Sequence, residues 1–221
     1  MAWSCSIAGT TGLVGSHLLT LLLEDSGVSA VTALGRRPLG IANPKLREVR
    51  TNFEQPAELR PHLAVDAVFC TLGTTIKQAG SQEAFRKVDG VYPLALATEA
   101  AAAGARQFLI VTAVGADAHS RVFYSRVKGE LEESLRKLSF PGGLHLFHPS
   151  LLLGHRQEPR AGERMAEVLM RVTGPLLAGP LRRYHAIDAG DVARAMRRAS
   201  QTADAGVHVY EGRSLFALAR A

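Results

Sequence analysis

Three glycines that follow a short apolar run constrain the fold of this chain more than any other feature. Residues 3–8 form a run typical of a β-strand, and residues 13–24 carry apolar side chains on one helical side. The segment that joins them is Gly9-Thr10-Thr11-Gly12-Leu13-Val14-Gly15. A strand, a tight glycine turn and a helix in this order open a βαβ unit, in which a crossover helix returns the chain to a parallel strand.

The spacing of these glycines also predicts what the turn binds. Gly9 permits the tight turn, Gly12 lets a pyrophosphate approach the backbone, and Gly15 lets the helix pack closely on the strand. The start of the helix supplies unpaired N–H groups and positive partial charge. We therefore predict that residues 9–15 bind the phosphates of a dinucleotide; a plain surface turn is the alternative.

Strand-like and helical segments alternate along the rest of the chain. Further strands are predicted at 28–34, 47–52, 67–71, 108–114, 144–147 and 207–210, and helices at 82–103, 121–138, 162–174 and 191–200. This order predicts an α/β fold with a doubly wound, mostly parallel sheet and helices on both faces. The length of 221 residues suits one domain, 1–221, in which we expect residues 151–221 to form a small cap on the substrate side.

Two arginines at the end of the second predicted strand bear on the choice of dinucleotide. Proteins that prefer NAD usually place an acidic residue here to hold the ribose 2′-OH, whereas this chain has Arg36 and Arg37. Their guanidinium groups can pair with a 2′-phosphate. We therefore predict NADP(H) as the cofactor, with NAD(H) less favoured; the alternative is a solvated basic turn.

Tyr124 and Lys128 are four residues apart on a predicted helix, so their side chains share one face. An ammonium group beside a phenol lowers the pKa of the phenol, which can then exchange a proton with a carbonyl or an alcohol. Thr112, at the end of the fifth predicted strand, would hydrogen-bond the substrate oxygen, and Lys128 could also hold the nicotinamide ribose. In the alternative, Tyr124 packs under a loop and Lys128 is a solvated helix lysine.

The same segments carry a family resemblance. With CTLGTT at 70–75, AVGAD at 113–117, YSRVKGE at 124–130 and RQEPRAGE at 156–163, the chain resembles the atypical short-chain dehydrogenase/reductases, most of all the Tat-interacting oxidoreductase-like subgroup. The resemblance implies an NADP(H)-binding Rossmann domain in which Tyr124 transfers a proton with Lys128 as its partner. It also implies that Leu72 and Gly73 line the cofactor and that Leu152 and Arg160 reach it.

This chain departs from the pattern of the family at two places. The family often has two serines at the end of the fifth strand, whereas here Thr112 is followed by Ala113. The segment before Pro149 usually begins with arginine, which His148 replaces. Thr112 is therefore the one residue expected to supply a hydroxyl at the end of the fifth strand.

Other classes of site are not expected. The eight histidines form no HxxxH or Cys/His cluster, which predicts no metal site, and a chain with a net charge of +6, 6% aromatic residues and no nucleic-acid motif is not expected to bind nucleic acid. Cys5 and Cys70 lie in apolar runs and are predicted to be core thiols. We expect no membrane partner, because the apolar stretches are too short or too interrupted to span a bilayer. The N-terminus has no basic leader, and we therefore expect a cytoplasmic protein.

Together these features predict an NADP(H)-dependent oxidoreductase that moves a hydride to or from a small carbonyl or alcohol. The alternative is a protein that responds to NADPH by changing a surface read by a protein partner, with Tyr124 and Lys128 merely positioning the ribose. A monomer and a homodimer are both compatible with the sequence.

Overall fold

A seven-stranded parallel sheet forms the centre of the protein. The computed structural model describes residues 2–153, 186–202 and 204–221. In the sheet the strands follow the order β3-β2-β1-β4-β5-β6-β9, and every neighbouring pair is parallel. Their bounds are β1 Trp3–Ala8, β2 Val28–Gly35, β3 Leu46–Arg50, β4 Ala67–Cys70, β5 Gln107–Val111, β6 Leu144–His148 and β9 Val207–Glu211, and two short strands, β7 Leu152–Leu153 and β8 Ile187–Asp188, pair separately.

Helices cover both faces of the sheet. They are α1 Leu13–Glu24, α2 Ile76–Ala79, α3 Gln82–Arg86, α4 Tyr92–Ala102, α5 Phe123–Leu135, α6 Ala189–Ala199 and α7 Gly212–Arg220, with a 3-10 helix at Pro56–His62. The order and the two helical layers confirm the predicted α/β, doubly wound fold. The strand order reverses between β1 and β4, and ligands of such sheets bind at the carboxyl ends of the strands beside that point.

The core lies in two layers, one on each face of the sheet. Strands β4 and β6 are buried at every position, as expected for parallel strands covered on both sides. On one face Leu18 of α1 and Met196 of α6 pack with the sheet. On the other, Leu96 of α4 and Leu131 of α5 do so. The helices are therefore held by the apolar stripe that each turns inward.

The predicted helix over 82–103 is interrupted. Between α3 and α4 the residues Lys87–Val91 form a π-helical turn. Pro93, in the first turn of α4, has no N–H, and its ring conflicts with the carbonyl of the residue four positions earlier, here Asp89. A π-helical turn accommodates this conflict and turns Asp89 into the interior, where it is buried.

The described part of the C-terminal region, residues 186–202 and 204–221, includes a strand of the central sheet. Strand β9 joins the central sheet beside β6, α6 packs on α1, and α7, which the sequence analysis missed, packs on α6. Helix α6 is held on α1 by its apolar side, where Val192, Ala193 and Met196 are fully buried. The predicted helix at 162–174 and the predicted ligand Arg160 lie outside the described residues.

Nothing among the helices of residues 2–153, 186–202 and 204–221 combines the length and the apolar character that a membrane crossing requires.

Candidate active site

The glycine turn lies at the reversal point of the sheet, between the ends of β1 and β4. Gly9 has φ +91°, and a Cβ there would lie 2.6 Å from the backbone of Thr71. A Cβ on Gly15 would lie 2.1 Å from the carbonyl oxygen of Gly9. Both positions therefore require glycine for the reasons predicted: Gly9 for the turn and Gly15 for close packing of the helix.

The residues of the turn divide into exposed and buried ones. Thr11 and Gly12 are exposed, Leu13 is half-buried, and Thr10, Val14 and Gly15 are buried. Gly12 caps α1 without a side-chain hydrogen bond, so the cap residue supplies no side-chain acceptor to the first N–H groups of the helix. Such a helix start suits an anion, and binding by residues 9–15 stays a prediction.

Arg36 and Arg37 lie directly after β2, next to the glycine turn in the sheet order. Both side chains are exposed, and neither forms an ion pair with another described residue. Two unpaired guanidinium groups are thus available at the edge where the ribose of a dinucleotide would lie.

The loop after β4 contains two of the predicted cofactor contacts. Leu72 is half-buried and packs against the core layer of α4 and α5, whereas Gly73 is exposed. The next residue, Thr74, donates its N–H to Asp89 Oδ2 at 2.7 Å. Leu152, in β7, is half-buried against the other core layer. Their contact with a cofactor remains a prediction.

Tyr124 and Lys128 occupy successive turns of α5. Tyr124 keeps 37% of its surface exposed, and its ring lies 5.6 Å from that of Phe85. Lys128 is only 3% exposed, and its Nζ lies 2.7 Å from Asp89 Oδ1. Lys128 is therefore not a solvated helix lysine, and the two residues place an accessible phenol one turn from a buried ammonium.

The charges around this pair correct one sequence-based expectation. Burial lowers the pKa of Lys128, but the carboxylate of Asp89 outweighs it, so the pKa is raised. Burial raises the pKa of Tyr124, Lys128 lowers it, and Asp89 raises it again, so that the pKa of the phenol is above its ordinary value. The predicted lowering by Lys128 is present but is outweighed by burial and by the opposite charge of Asp89.

Helix α5 lies very close to the loop that follows β5. A Cβ on Gly129 would lie 2.1 Å from the backbone nitrogen of Ala118, and the N–H of Asp117 donates to the carbonyl of Ser125 at 3.0 Å. The glycine beside Lys128 in the segment YSRVKGE thus permits the contact that sets the position of the helix.

Thr112 is engaged by a buried carboxylate. Its hydroxyl donates to Glu132 Oε1 at 2.6 Å, and both residues are buried. A threonine hydroxyl has one proton to donate, so in this structure the donor is used within the protein rather than held free for a substrate. The predicted role of Thr112 toward a substrate remains a prediction.

Sequence reasoning missed Asp89 and Glu132 and gave no role to His148. Two signals were available. Glu132 stands four residues after Lys128, which extends the shared face of α5 by one turn, and Pro93 marks a break in the helix where Asp89 turns inward. Among the described residues no group of histidines, cysteines and acids is arranged to hold a metal ion.

Comparison with known proteins gives the class. The sequence profile of a family described as NAD(P)H-binding matches residues 9–138. The solved structure of MoeE5 in complex with UDP-glucose and NAD superposes with a TM-score of 0.69 at 17% identity, covering 98% of this chain and 80% of that one; at this identity the likeness shows the fold alone. The chain belongs to the family of NAD(P)H-binding proteins, and it has a Rossmann-type fold.

Its relatives place it within that class. Protein FMP52, mitochondrial, of Coccidioides immitis (strain RS) is 32% identical over 203 residues, which cover 86% of this chain and 82% of the relative. Protein HTATIP2 of Rattus norvegicus is 38% identical over 167 residues, 74% of this chain and 68% of the relative. These matches confirm the predicted atypical subgroup. The mitochondrial names of the FMP52 relatives contradict the expectation of a cytoplasmic protein, which is wrong on this finding.

Proposed function

We propose that the protein is an NADP(H)-dependent oxidoreductase that acts on a small carbonyl or alcohol. The observation that carries the proposal is the exposed phenol of Tyr124, one helical turn from the buried ammonium of Lys128. Both lie on the helix that follows β5, whose start is at the same carboxyl edge of the sheet as the glycine turn.

The residues present fit a phosphorylated dinucleotide. The start of α1, without a side-chain cap, and the close packing at Gly9 and Gly15 would cradle the pyrophosphate. Arg36 and Arg37 would bind a 2′-phosphate, which supports NADP(H) over NAD(H). When bound, NADP(H) supplies or accepts the hydride.

Tyr124 is proposed to move the proton. In the reducing direction its hydroxyl donates to the carbonyl oxygen, and in the oxidising direction its phenolate accepts the proton of the alcohol. Because the pKa of Lys128 is raised, the lysine stays cationic at neutral pH and stabilises the phenolate form. Its ammonium would also hold the nicotinamide ribose.

The test has a binding step and a turnover step. Purified protein is titrated with NADPH and with NADH by calorimetry, and NADPH oxidation is then followed with a panel of aldehydes and ketones. Tyr124→Phe should lose at least about 100-fold in turnover, the contribution of a positioned acid or base, with NADPH affinity unchanged. Tyr92→Phe, which removes a hydroxyl that binds Glu54, is the matched control. Turnover at the wild-type rate in Tyr124→Phe would remove Tyr124 from the mechanism.

A second candidate is an NADPH-responsive interaction protein. Two observations favour it: the charge of Lys128 is already paired with Asp89, and the raised pKa of Tyr124 disfavours the phenolate that the oxidising direction needs. NADPH binding with no turnover on any substrate of the panel, together with unchanged behaviour of Tyr124→Phe, would support this role over the enzyme.

A further inference from the structure

One buried carboxylate joins the candidate catalytic helix to the loop after β4. Asp89 Oδ1 lies 2.7 Å from Lys128 Nζ, and Asp89 Oδ2 accepts the N–H of Thr74 at 2.7 Å. Asp89 is 2% exposed. Both oxygens of a single side chain are thus used, each on a different element of the proposed cofactor site.

The backbone around Asp89 is shaped for this double contact. The residue lies in the π-helical turn Lys87–Val91, a type of turn frequent at functional sites. A Cβ on Gly73 would lie 3.6 Å from Asp89 Oδ1, and one on Gly90 would lie 3.4 Å from Val127 of α5. These distances show that the loop after β4, the π-helical turn and α5 lie next to one another around the carboxylate.

Stability alone is a weak reason for such a pair. Removing two charges from water costs about as much as their attraction returns, and apolar residues in the same space are often as stabilising. A buried ion pair is better explained when one of its members needs its charge and its position for another purpose. Lys128 has such a purpose if it holds the cofactor ribose and the phenolate of Tyr124.

We infer that Asp89 is a positioning residue, which fixes Lys128 relative to the loop over 71–75 and supplies the negative charge that faces its ammonium. The inference rests on the proposed function and adds to it the residue through which the lysine and the loop are coupled. Asp89 itself touches neither substrate nor reacting atoms; it acts through Lys128.

The change Asp89→Asn separates charge from shape. The amide oxygen of asparagine can still accept the N–H of Thr74, but Lys128 is left as a buried ammonium with no counter-ion. Burial lowers the pKa of Lys128 and Asp89 is the first cause that raises it, so the variant lysine should lose its proton at a lower pH than in the wild type.

The measurement is the Kd of NADPH for Asp89→Asn relative to the wild type, at about pH 6 and about pH 9. The ratio cancels the titration of NADPH itself. We expect it to rise by about tenfold between these pH values, the effect of one hydrogen bond to a charged group. Glu99→Gln is the matched control. Glu99 lies on α4, which continues directly from the π-helical turn of Asp89, and pairs with exposed Arg60 at 2.7 Å. The ratio of its Kd to that of the wild type should not change with pH.

A second pair of variants covers a failure of Asp89→Asn to fold. In the double variant Asp89→Asn with Lys128→Met both charges are absent, and its NADPH affinity should equal that of Lys128→Met alone at both pH values. A further loss in the double variant would overturn the inference, since Asp89 would then act other than through Lys128.

The remaining outcomes are distinct. Loss of stability in Asp89→Asn with an unchanged, pH-independent NADPH affinity would mean a purely structural pair and would also overturn the inference. Failure of the wild type to bind either dinucleotide would overturn the proposed function, and this inference with it. If the wild type binds NADPH but the Kd ratio of Asp89→Asn to wild type does not change with pH, the positioning role of Asp89 is overturned and the proposed function is not.

Discussion

His148 on β6 lies against Glu132 on α5, with His148 Nε2 2.8 Å from Glu132 Oε1, and both side chains are buried. The contact does not have the geometry of a hydrogen bond. On its other side, His148 Nδ1 lies 3.3 Å from Glu211, at the end of β9, and Arg136 lies 3.7 Å from Glu132. One imidazole thus faces two carboxylates and ties the C-terminal strand to the helix of the candidate active site.

The pair predicts a pH dependence of stability. Burial lowers the pKa of His148, but Glu132 and Glu211 outweigh it, so the folded pKa is raised. A raised pKa stabilises the folded state below the unfolded value, about 6.5, and this contribution is lost as the pH rises through the folded value. The difference in unfolding free energy between wild type and His148→Gln should therefore be larger at about pH 5.5 than at about pH 9, measured by urea unfolding.

A control separates this effect from that of other histidines. His119→Gln, a change at an exposed loop histidine, is the control and is measured at the same two pH values. A difference for His148→Gln that grows as the pH rises would show that His148 is neutral in the folded protein, contrary to the prediction.

The preference between dinucleotides is predicted to depend on Arg36 and Arg37. The double change to alanine should weaken NADPH by about 10- to 100-fold, since each charge-assisted hydrogen bond contributes about 1.5–3 kcal/mol and exposed groups lie at the lower end. NADH affinity should change little. Calorimetric titration of both dinucleotides measures this, with the double change Arg213→Ala and Arg220→Ala on α7, two exposed arginines, as the charge-matched control. An equal loss for NADPH and NADH would show that these arginines do not read the 2′-phosphate.

Gly15→Ala is expected to destabilise the protein even without a ligand. The new methyl group would lie 2.1 Å from the carbonyl oxygen of Gly9, so α1 must move away from the turn, at a cost of about 3 kcal/mol. Thermal unfolding measures the loss. Gly35→Ala is the control, because its Cβ would have its nearest neighbour at 3.9 Å; similar melting temperatures for both variants would contradict the packing argument.

Both thiols are predicted to be unreactive in the folded protein. Cys5 and Cys70 are buried, and burial raises the pKa of Cys70 to about 12 and raises that of Cys5 as well. Because the thiolate is the reactive form, a thiol-specific reagent should modify neither residue until denaturant is added. Fast modification of the native protein would require an opening that exposes β1 or β4.

Local patterns explain what could be predicted from the sequence. The segment from β1 to α1 was correct in bounds and in the steric roles of Gly9 and Gly15, since a strand, a turn and a helix adjacent in sequence carry their own signals. The shared face of Tyr124 and Lys128 also follows from helical spacing alone.

Local patterns could not predict features that depend on contacts between segments distant in sequence. Local patterns predict one helix over 82–103 and a cap over 151–221. They miss the π-helical turn at Lys87–Val91 and the place of β9 in the central sheet, because both depend on contacts with distant segments. The same holds for the sign of the pKa shift at Tyr124. Neighbouring Lys128 lowers that pKa, but Asp89, which is distant in sequence, and burial decide the result.

The sequence by itself therefore determined most of the strands and helices, the glycine turn and the shared helical face of Tyr124 and Lys128, because each of these depends on residues a few positions apart. The exposure of the Tyr124 phenol and the burial of the Lys128 ammonium were decided by the tertiary structure. Only the tertiary structure decided which charges surround them. Asp89 contacts Lys128, and Glu132 contacts both Thr112 and His148. These residues come from separate elements that the fold buries together. Burial is the reason that each charge requires a partner.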